Sequence, residues 1–438
     1  MTFSDPITDH AAALSGMATR PRQAGEREFD LATAWRLGRQ AAAEAGLTMR
    51  LTDVGEAWRC LLYRTDGTPA PGGTGSGKGP AEDARVGALF EALEHYRSGA
   101  SLLNADRLVA RRAADLADGP FAGDPALAAL DPDALLACRP HTALSGSGTL
   151  DVPVFLQCPG YLAPRSAALR HQAGDTCDYA SAVRYSSNNG TAIGATRAEA
   201  LVHALAEAIE RDAKSILLAT TFLAEEPHSL RLVDPATLPD EVAALQRHAR
   251  QRVAGPVHLI DMTTDLDVPA YLAHAAAHPR HLRAGMVAPA RFGMGASLSS
   301  VHAARRALSE LLQVVALDEE LQSAPRDLSH LRRYPRLLAA ATVDLAAHLP
   351  RAATIDFTET TAPATPEQHV RHLAALLADH GHPPYAHTLH TASNGVSTIA
   401  VAVPGLDRFF IVTGGNAVIP GPRARRCITG DHRALRSE

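Results

Sequence analysis

A chain of 438 residues that is 46% hydrophobic and 20% charged can bury a large core, as one big domain or two to three sub-domains. Its net charge of −5 supplies no global basic field and argues against nucleic acid as a partner. Five cysteines without a CxxC pair argue against a structural zinc site and a disulfide framework, and no run approaches the roughly 18 apolar residues of a membrane helix, so a reducing cytoplasm is the expected setting.

Residues 1–24 are polar, are expected to be poorly ordered, and lack the basic-then-apolar start of a signal peptide. Residues 25–46 carry helical periodicity that stops at Gly46. Strand-like text at 47–63 runs into the turn-rich RTDGTPAPGGTGSGKGP, which reads as a glycine loop. A helix over 81–99 follows, then a short helix near 125–138 and a strand at 152–157. YSSNNGTAIGAT is a glycine-punctuated strand or turn that opens a long helix over 196–222, with Thr196 as N-cap and Glu199 completing a capping box. Residues 231–278 read as strand, helix, strand and strand, and a third long helix runs from near Ser297 to 322. The tail predicts helices at 338–348 and 366–380, with strands near 384–390, 397–403 and 408–413. This alternation implies an α/β or α+β architecture, and no low-complexity linker cuts the chain cleanly.

Three helical signatures share one logic: Glu91/Glu94, then Glu207/Glu210/Arg211, then Arg306/Glu310/Gln313. Residues three or four apart lie on one helix face, so each segment offers carboxylates, and twice an arginine, in one direction. Carboxylates gathered from separate helices repel unless a hard cation such as Mg2+ sits between them, and arginines suit phosphate oxygens. The ordinary alternative is a solvated face, or an intrahelical ion pair at Arg306/Glu310. Against it, Glu91 and Glu94 are embedded among Val86, Leu89, Phe90 and Leu93, and Glu207 and Glu210 among Leu201, Leu205, Ile209 and Ile216.

The stretch Gly72-x-x-x-x-Gly77-Lys78 meets most of the phosphate-cradling P-loop pattern, but Gly79 stands where a Ser or Thr would bind Mg2+. A flexible turn before a helix explains it as well. Lys78 and Lys214 are the chain's two lysines, which sets Lys78 apart from a random surface residue. His203 and His302 fall in no HExxH spacing and read as structural or solvent-facing. The cysteines lack the surroundings of a nucleophile, so covalent catalysis by the protein has no sequence support.

Taken in order, SGKG followed by A-R-x-x-A-x-x-E-x-x-E, then NG-x-A-x-G with E-A and ERD, then R-A-L-x-E-x-x-Q resembles the YcaO domain family from about residue 46 to the C-terminus. The resemblance implies an ATP- and Mg2+-binding α/β (α+β) fold of mixed sheets, unrelated to P-loop kinases, with an N-terminal helical segment at 1–45 and one domain at 46–438. It also implies phosphorylation of a peptide amide oxygen, followed by its replacement. A Cys, Ser or Thr side chain then gives an azoline, and a sulfide donor gives a thioamide. By residue-for-residue match, Glu91, Glu94, Glu207, Glu210 and Glu310 are the metal and phosphate-side acids. Arg211 and Arg306 match the phosphate arginines, Glu199 a nucleotide-contacting acid, and Lys78 and Gln313 further nucleotide-side groups.

Two departures bear on subtype. The C-terminal text PGPRARRCITGDHRALRSE has no PxPxP tail of the azoline-forming kind, whereas VPGLD (403–407) and IPGPRAR (419–425) resemble members that work with a TfuA-like partner in thioamide formation. NNG at 188–190 replaces the commoner SNG. The expected partners are a precursor peptide or protein substrate and a TfuA-like or other leader-binding or sulfur-delivering protein, with a homodimer implied by resemblance alone. No fused leader-binding module is expected in the short N-terminal segment. Two other classes compete: a ligase-like or kinase-like enzyme acting on a small molecule, and a non-catalytic accessory protein, against which the complete acid set argues.

Overall fold

The carboxylate of Asp30 accepts from the Thr33 amide at 2.7 Å and starts the first long helix, α1 (Leu31–Glu44), six residues later than the periodicity alone suggests. The computed structural model describes residues 22–283, 287–322 and 326–429. The expectation of disorder for the N-terminal segment falls mostly outside these residues.

Beyond Gly46 the predicted single strand is a hairpin, β1 (Leu47–Asp53) and β2 (Ala57–Arg64), continued by β3 (Pro69–Lys78) into a three-stranded antiparallel sheet. The expected glycine loop at 72–79 is therefore mostly strand, and the reason is steric. The helix α2 (Ala81–Arg97) lies so close to β3 that a Cβ at Gly77 would sit 1.6 Å from the Ala84 carbonyl oxygen, and one at Gly75 would sit 2.5 Å from that of Ala88. Strand periodicity then sends Ser76 and Lys78 to the other face.

A second sheet is built from β4 (Val109–Arg112), β5 (Leu135–Ala143), β6 (Thr149–Pro153), β7 (Thr191–Gly194), β13 (Tyr385–Thr391) and β14 (Ser397–Ala402). Its order is β4-β5-β13-β14-β7, with β6 on β5, all antiparallel. The third sheet contains β8 (Arg231–Val233), β9 (His258–Asp261), β10 (Ala270–Ala275), β11 (Arg291–Ala296) and β12 (Ala353–Ile355) in the order β11-β10-β9-β8-β12, with only β8 and β12 parallel.

The close approach of helix to glycine strand recurs in both. The long helix α3 (Arg197–Phe222) follows β7, and a Cβ at Gly194 would meet the Ala200 nitrogen at 2.5 Å. Gly293 and Gly295 of β11 face the helix α5 (Ser300–Leu321), with would-be contacts of 2.2 Å to Leu311 N and 2.1 Å to Ala303 O. The helix α4 (Asp240–Val253) covers the outer side of the third sheet against α5, sharing a core of Val242, Ala249, Leu308 and Leu311. Each acid-bearing helix is thus seated on its own glycine strand, and the mixed α+β expectation is met.

Two of the elements expected in the tail differ. The helix expected at 338–348 is α6 (Pro335–Thr342), started by its proline at N1. The helix α7 (Pro366–Asp379) matches expectation. The strand expected at 408–413 is the 3-10 helix Phe409–Gly414, followed by a short helix at Pro422–Ile428. Earlier, the helix expected near 125–138 is only Pro125–Ala128 before β5 begins, and strand 152–157 ends at Pro153 in the short helix Val154–Gln157.

Candidate functional site

α2, α3 and α5 direct their acids toward one another. Lys78, on the face of β3 opposite α2, forms an ion pair with Glu310 of α5, and the Gln313 amide donates to the Ser76 carbonyl. One turn earlier, Arg306 has its Nε buried without a hydrogen-bond partner. On α3, Arg211 lies 3.6 Å from Glu210 and 3.8 Å from Glu207, contacts too long for a close bidentate pair.

The electrostatics report mutual proximity. Burial, then the charges of Glu207 and Glu91, push Glu94 well above the usual carboxylate range, although its oxygen accepts the Ile193 amide at 3.1 Å. Burial also raises Glu207, with Arg211 pulling down and Glu210 pushing up. Glu91 is raised by burial against His95, the Ser76 amide and Lys78. Glu310 goes the other way: burial opposes its ionisation, but Lys78 and Arg211 together hold it below the ordinary value. Lys214, one turn beyond Arg211, is pushed down to about 7 by burial and by Arg211. It donates to the Thr413 hydroxyl at 2.9 Å and lies 4.3 Å from the centroid of Phe292.

The residues present fit a metal–nucleotide complex. Glu94 and Glu207 repel each other and would be relieved by a cation, while Arg306 and Arg211 have donor capacity that close protein acceptors do not use. Among the described residues no three His, Cys, Asp or Glu side chains converge tightly enough to cage a metal by themselves. Mg2+ takes one or two carboxylates and completes its shell with phosphate oxygens and water, so a looser carboxylate set suits an ion carried in with a nucleotide.

Glu199 is placed differently. It lies eight residues before Glu207 on α3, about 12 Å along the helix. Its oxygens accept the Glu28 amide at 2.7 Å and the Ala195 amide at 3.1 Å, with Arg27 at 3.6 Å. The capping-box idea therefore holds in part: Thr196 caps the Glu199 amide, while Glu199 reaches the residue before the cap.

This N-terminal stretch is the part sequence reasoning missed. Glu26 is 4% exposed, accepts from Ser297 and lies 3.4 Å from His302. Burial opposes its ionisation, but His302 and Arg306 hold its carboxyl far below the usual range. His203 is held well below its ordinary value by burial and by Arg306. Both histidines, read as bland from spacing, therefore face the charged cluster.

A second buried knot anchors the C-terminal motifs. Arg423 of IPGPRAR donates from Nε to both oxygens of fully buried Asp212, at 3.1 and 2.9 Å, and from NH1 to Asp265 at 3.1 Å. Asp212 also accepts the Asp407 amide at 2.7 Å, and Asp407 accepts the Ala424 amide at 3.1 Å. The PG motifs at 403–407 and 419–425 thereby meet at the aspartate that follows Glu210 and Arg211.

Mixed sheets, helix-borne acids in place of a phosphate loop, and arginines with unused donors define a nucleotide-binding α+β protein of non-P-loop type. The chain belongs to the YcaO family: the family model described as "YcaO cyclodehydratase, ATP- and Mg2+-binding" matches residues 76–407. Its fold resembles the YcaO from Methanopyrus kandleri bound with AMPPCP and Mg2+, with 19% identity, 90% of this chain and 96% of that chain covered, and a TM-score of 0.61. It also resembles a heterocyclase in complex with substrate and cofactor, with 16% identity, 92% and 56% covered, and a TM-score of 0.59. The E. coli microcin synthetase McbBCD complex with pro-MccB17 bound aligns with 13% identity, 83% and 88% covered, and a TM-score of 0.52. At these identities the likeness carries the fold. An uncharacterized protein in the tfuA 3′ region of Rhizobium leguminosarum bv. trifolii is 37% identical over 87 residues, a stretch spanning a fifth of each chain. The family is one of ATP- and Mg2+-dependent peptide-modifying enzymes. No helix among the described residues is long and apolar enough to cross a membrane.

Proposed function

We propose that this chain activates a backbone amide of a peptide or protein and exchanges its oxygen for sulfur, giving a thioamide. The observation that carries the reading is the convergence of Glu94, Glu207 and Glu310 from three helices beside Arg211, Arg306 and Lys78. In this reading Glu91, Glu94, Glu207, Glu210 and Glu310 hold Mg2+, while Lys78, Arg211, Arg306 and Gln313 bind the phosphate side of ATP. Glu199 reaches the nucleotide in exchange with, or through, the Arg27–Glu28 segment it now holds. ATP supplies the phosphoryl group that turns the amide oxygen into a leaving group, and Mg2+ offsets charge on that group.

The protein's own groups orient and screen. Arg211 and Arg306 present guanidinium donors where negative charge develops, in a partly buried setting that strengthens each contact. Beside Ala208 a cavity of about 90 Å3 is bounded by Asn189, Gly190 and Val403–Arg408. The Asn189 side-chain carbonyl there is buried with no donor, which suits the amide hydrogen of an extended peptide.

Support for sulfur as the incoming atom comes from the relative in the tfuA 3′ region and from the paired PG motifs closed by Arg423. A TfuA-like partner then delivers sulfur or captures substrate. The second reading, cyclodehydration of Cys, Ser or Thr to an azoline, or amidine formation, is favoured by the family description as cyclodehydratase and by the McbBCD neighbour. Peptide-dependent phosphate release in the presence of ATP and Mg2+ tests what the two readings share. Release that ignores peptide would instead support the ligase-like or kinase-like alternative.

A further inference from the structure

We propose that a pocket at the carboxyl end of α2, separate from the acid cluster, binds a small oxyanion of the phosphate class. The cavity is about 250 Å3, and its polar lining includes Arg97, Asn104, Arg107, Arg139, His387 and His390, with leucines along the wall. It contains no acidic side chain. Arg139 is the central observation. It projects from β5, is 7% exposed, and among the described residues its guanidinium has neither an ion pair nor a hydrogen-bond acceptor.

A buried guanidinium without a counter-charge is costly, and such groups are ordinarily paired. The stress shows: burial lowers Arg139 and Arg97 below the ordinary arginine value. His390 adds an Nε2 atom that is buried without a partner. The side-chain carbonyl of Asn104 accepts the Asp106 amide at 3.0 Å, leaving its NH2 group for a ligand.

The acid whose charge reaches Arg97 and His390 is Glu44, outside the lining. It interacts at longer range with Arg97 and His390 but spends its oxygens on the Ser393 amide at 2.9 Å and hydroxyl at 2.6 Å. The end of α2 contributes about half a negative charge, which three guanidinium groups outweigh. Forked guanidinium donors match tetrahedral oxyanions, and the leucine wall leaves room for an organic substituent. This inference does not depend on the amide-activation reading.

The test is calorimetric titration of the full chain, without nucleotide, with inorganic phosphate and with phenyl phosphate. Binding should weaken about 10- to 100-fold in Arg139→Gln, the value of a charge-assisted hydrogen bond. It should weaken several-fold in Arg107→Ala, an exposed position that does not endanger folding, and stay unchanged in Arg306→Ala. Tighter binding of phenyl phosphate identifies a phosphomonoester as the ligand, and equal binding identifies free phosphate. The proposal is overturned if neither anion binds, or if binding is lost in Arg306→Ala while Arg139→Gln and Arg107→Ala retain it. Should Arg139→Gln not fold, Arg107→Ala set against Arg306→Ala decides alone.

Discussion

Replacing Arg423 with alanine isolates one buried charge and makes a quantitative prediction. Arg423 is 2% exposed and Asp212 is fully buried; the variant leaves Asp212 with the Asp407 amide as its remaining hydrogen bond. Breaking a buried pair by removing one partner costs about 3–5 kcal/mol. At about 2.1 cal/mol/K per residue, 438 residues give an unfolding entropy near 0.9 kcal/mol/K, so the Tm should fall by about 3–5 °C. The sign with pH follows from Asp212, which burial already raises and Arg423 holds down. Without Arg423 its folded value rises further above the unfolded one. The folded variant then holds a proton that the unfolded chain releases, so stability is lost as pH rises. The deficit should therefore be larger at pH 8 than at pH 5.5. Asp212→Leu combined with Arg423→Met should recover part of it, because the fully buried carboxylate goes with its partner and only the more exposed Asp265 loses its ion pair. Circular-dichroism melts at both pH values measure this. A shift under 1 °C, or a deficit indifferent to pH, would refute the reasoning.

Further outcomes follow from the same geometry. Gly77→Ala should leave little soluble protein, since its Cβ would overlap the Ala84 carbonyl, whereas Gly87→Ala meets its nearest neighbour at 3.5 Å and should be stabilising by up to about 1 kcal/mol in chemical denaturation. Lys214 titrates near 7 when folded and near 10.4 when unfolded, so the unfolded chain binds more protons in between and stability rises with pH. Lys214→Met should flatten that rise in melts at pH 7 and 8.5. Glu210→Gln and Arg306→Ala should each lower ATP turnover by about 100-fold or more while keeping the wild-type melting profile; wild-type turnover in either folded variant would remove these residues from the site.

The three acid helices were legible because local physics marks them. Thr196 caps α3 and Ser299 caps α5, and carboxylates among leucines at helical spacing are costly enough to stand out. What failed was either ambiguous locally or non-local. The GTGSGK run reads as a loop because glycine has low strand propensity, yet here glycine is required by the backbone of α2 lying against it. The Phe409–Gly414 turn carries the apolar text of a strand, but Ser215 caps the Phe410 amide and Asp407 the Phe409 amide, which winds it helically. Glu26 meets Ser297 across 271 residues and Arg423 meets Asp212 across 211, separations at which one sequence gives no pairing signal. The acid cluster was therefore visible as a set of faces, whereas its N-terminal wall and its C-terminal clasp were not.

Oxygen-for-sulfur exchange at a peptide bond changes the mass of the substrate by a fixed amount. Its most direct test is intact-mass spectrometry of a precursor peptide encoded beside the gene, incubated with the full chain, ATP, Mg2+, sulfide and any TfuA-like protein encoded there. The expected result is an ATP-dependent mass gain equal to sulfur replacing oxygen, located to a backbone amide by fragmentation. Loss of one water would contradict it in favour of the azoline or amidine branch.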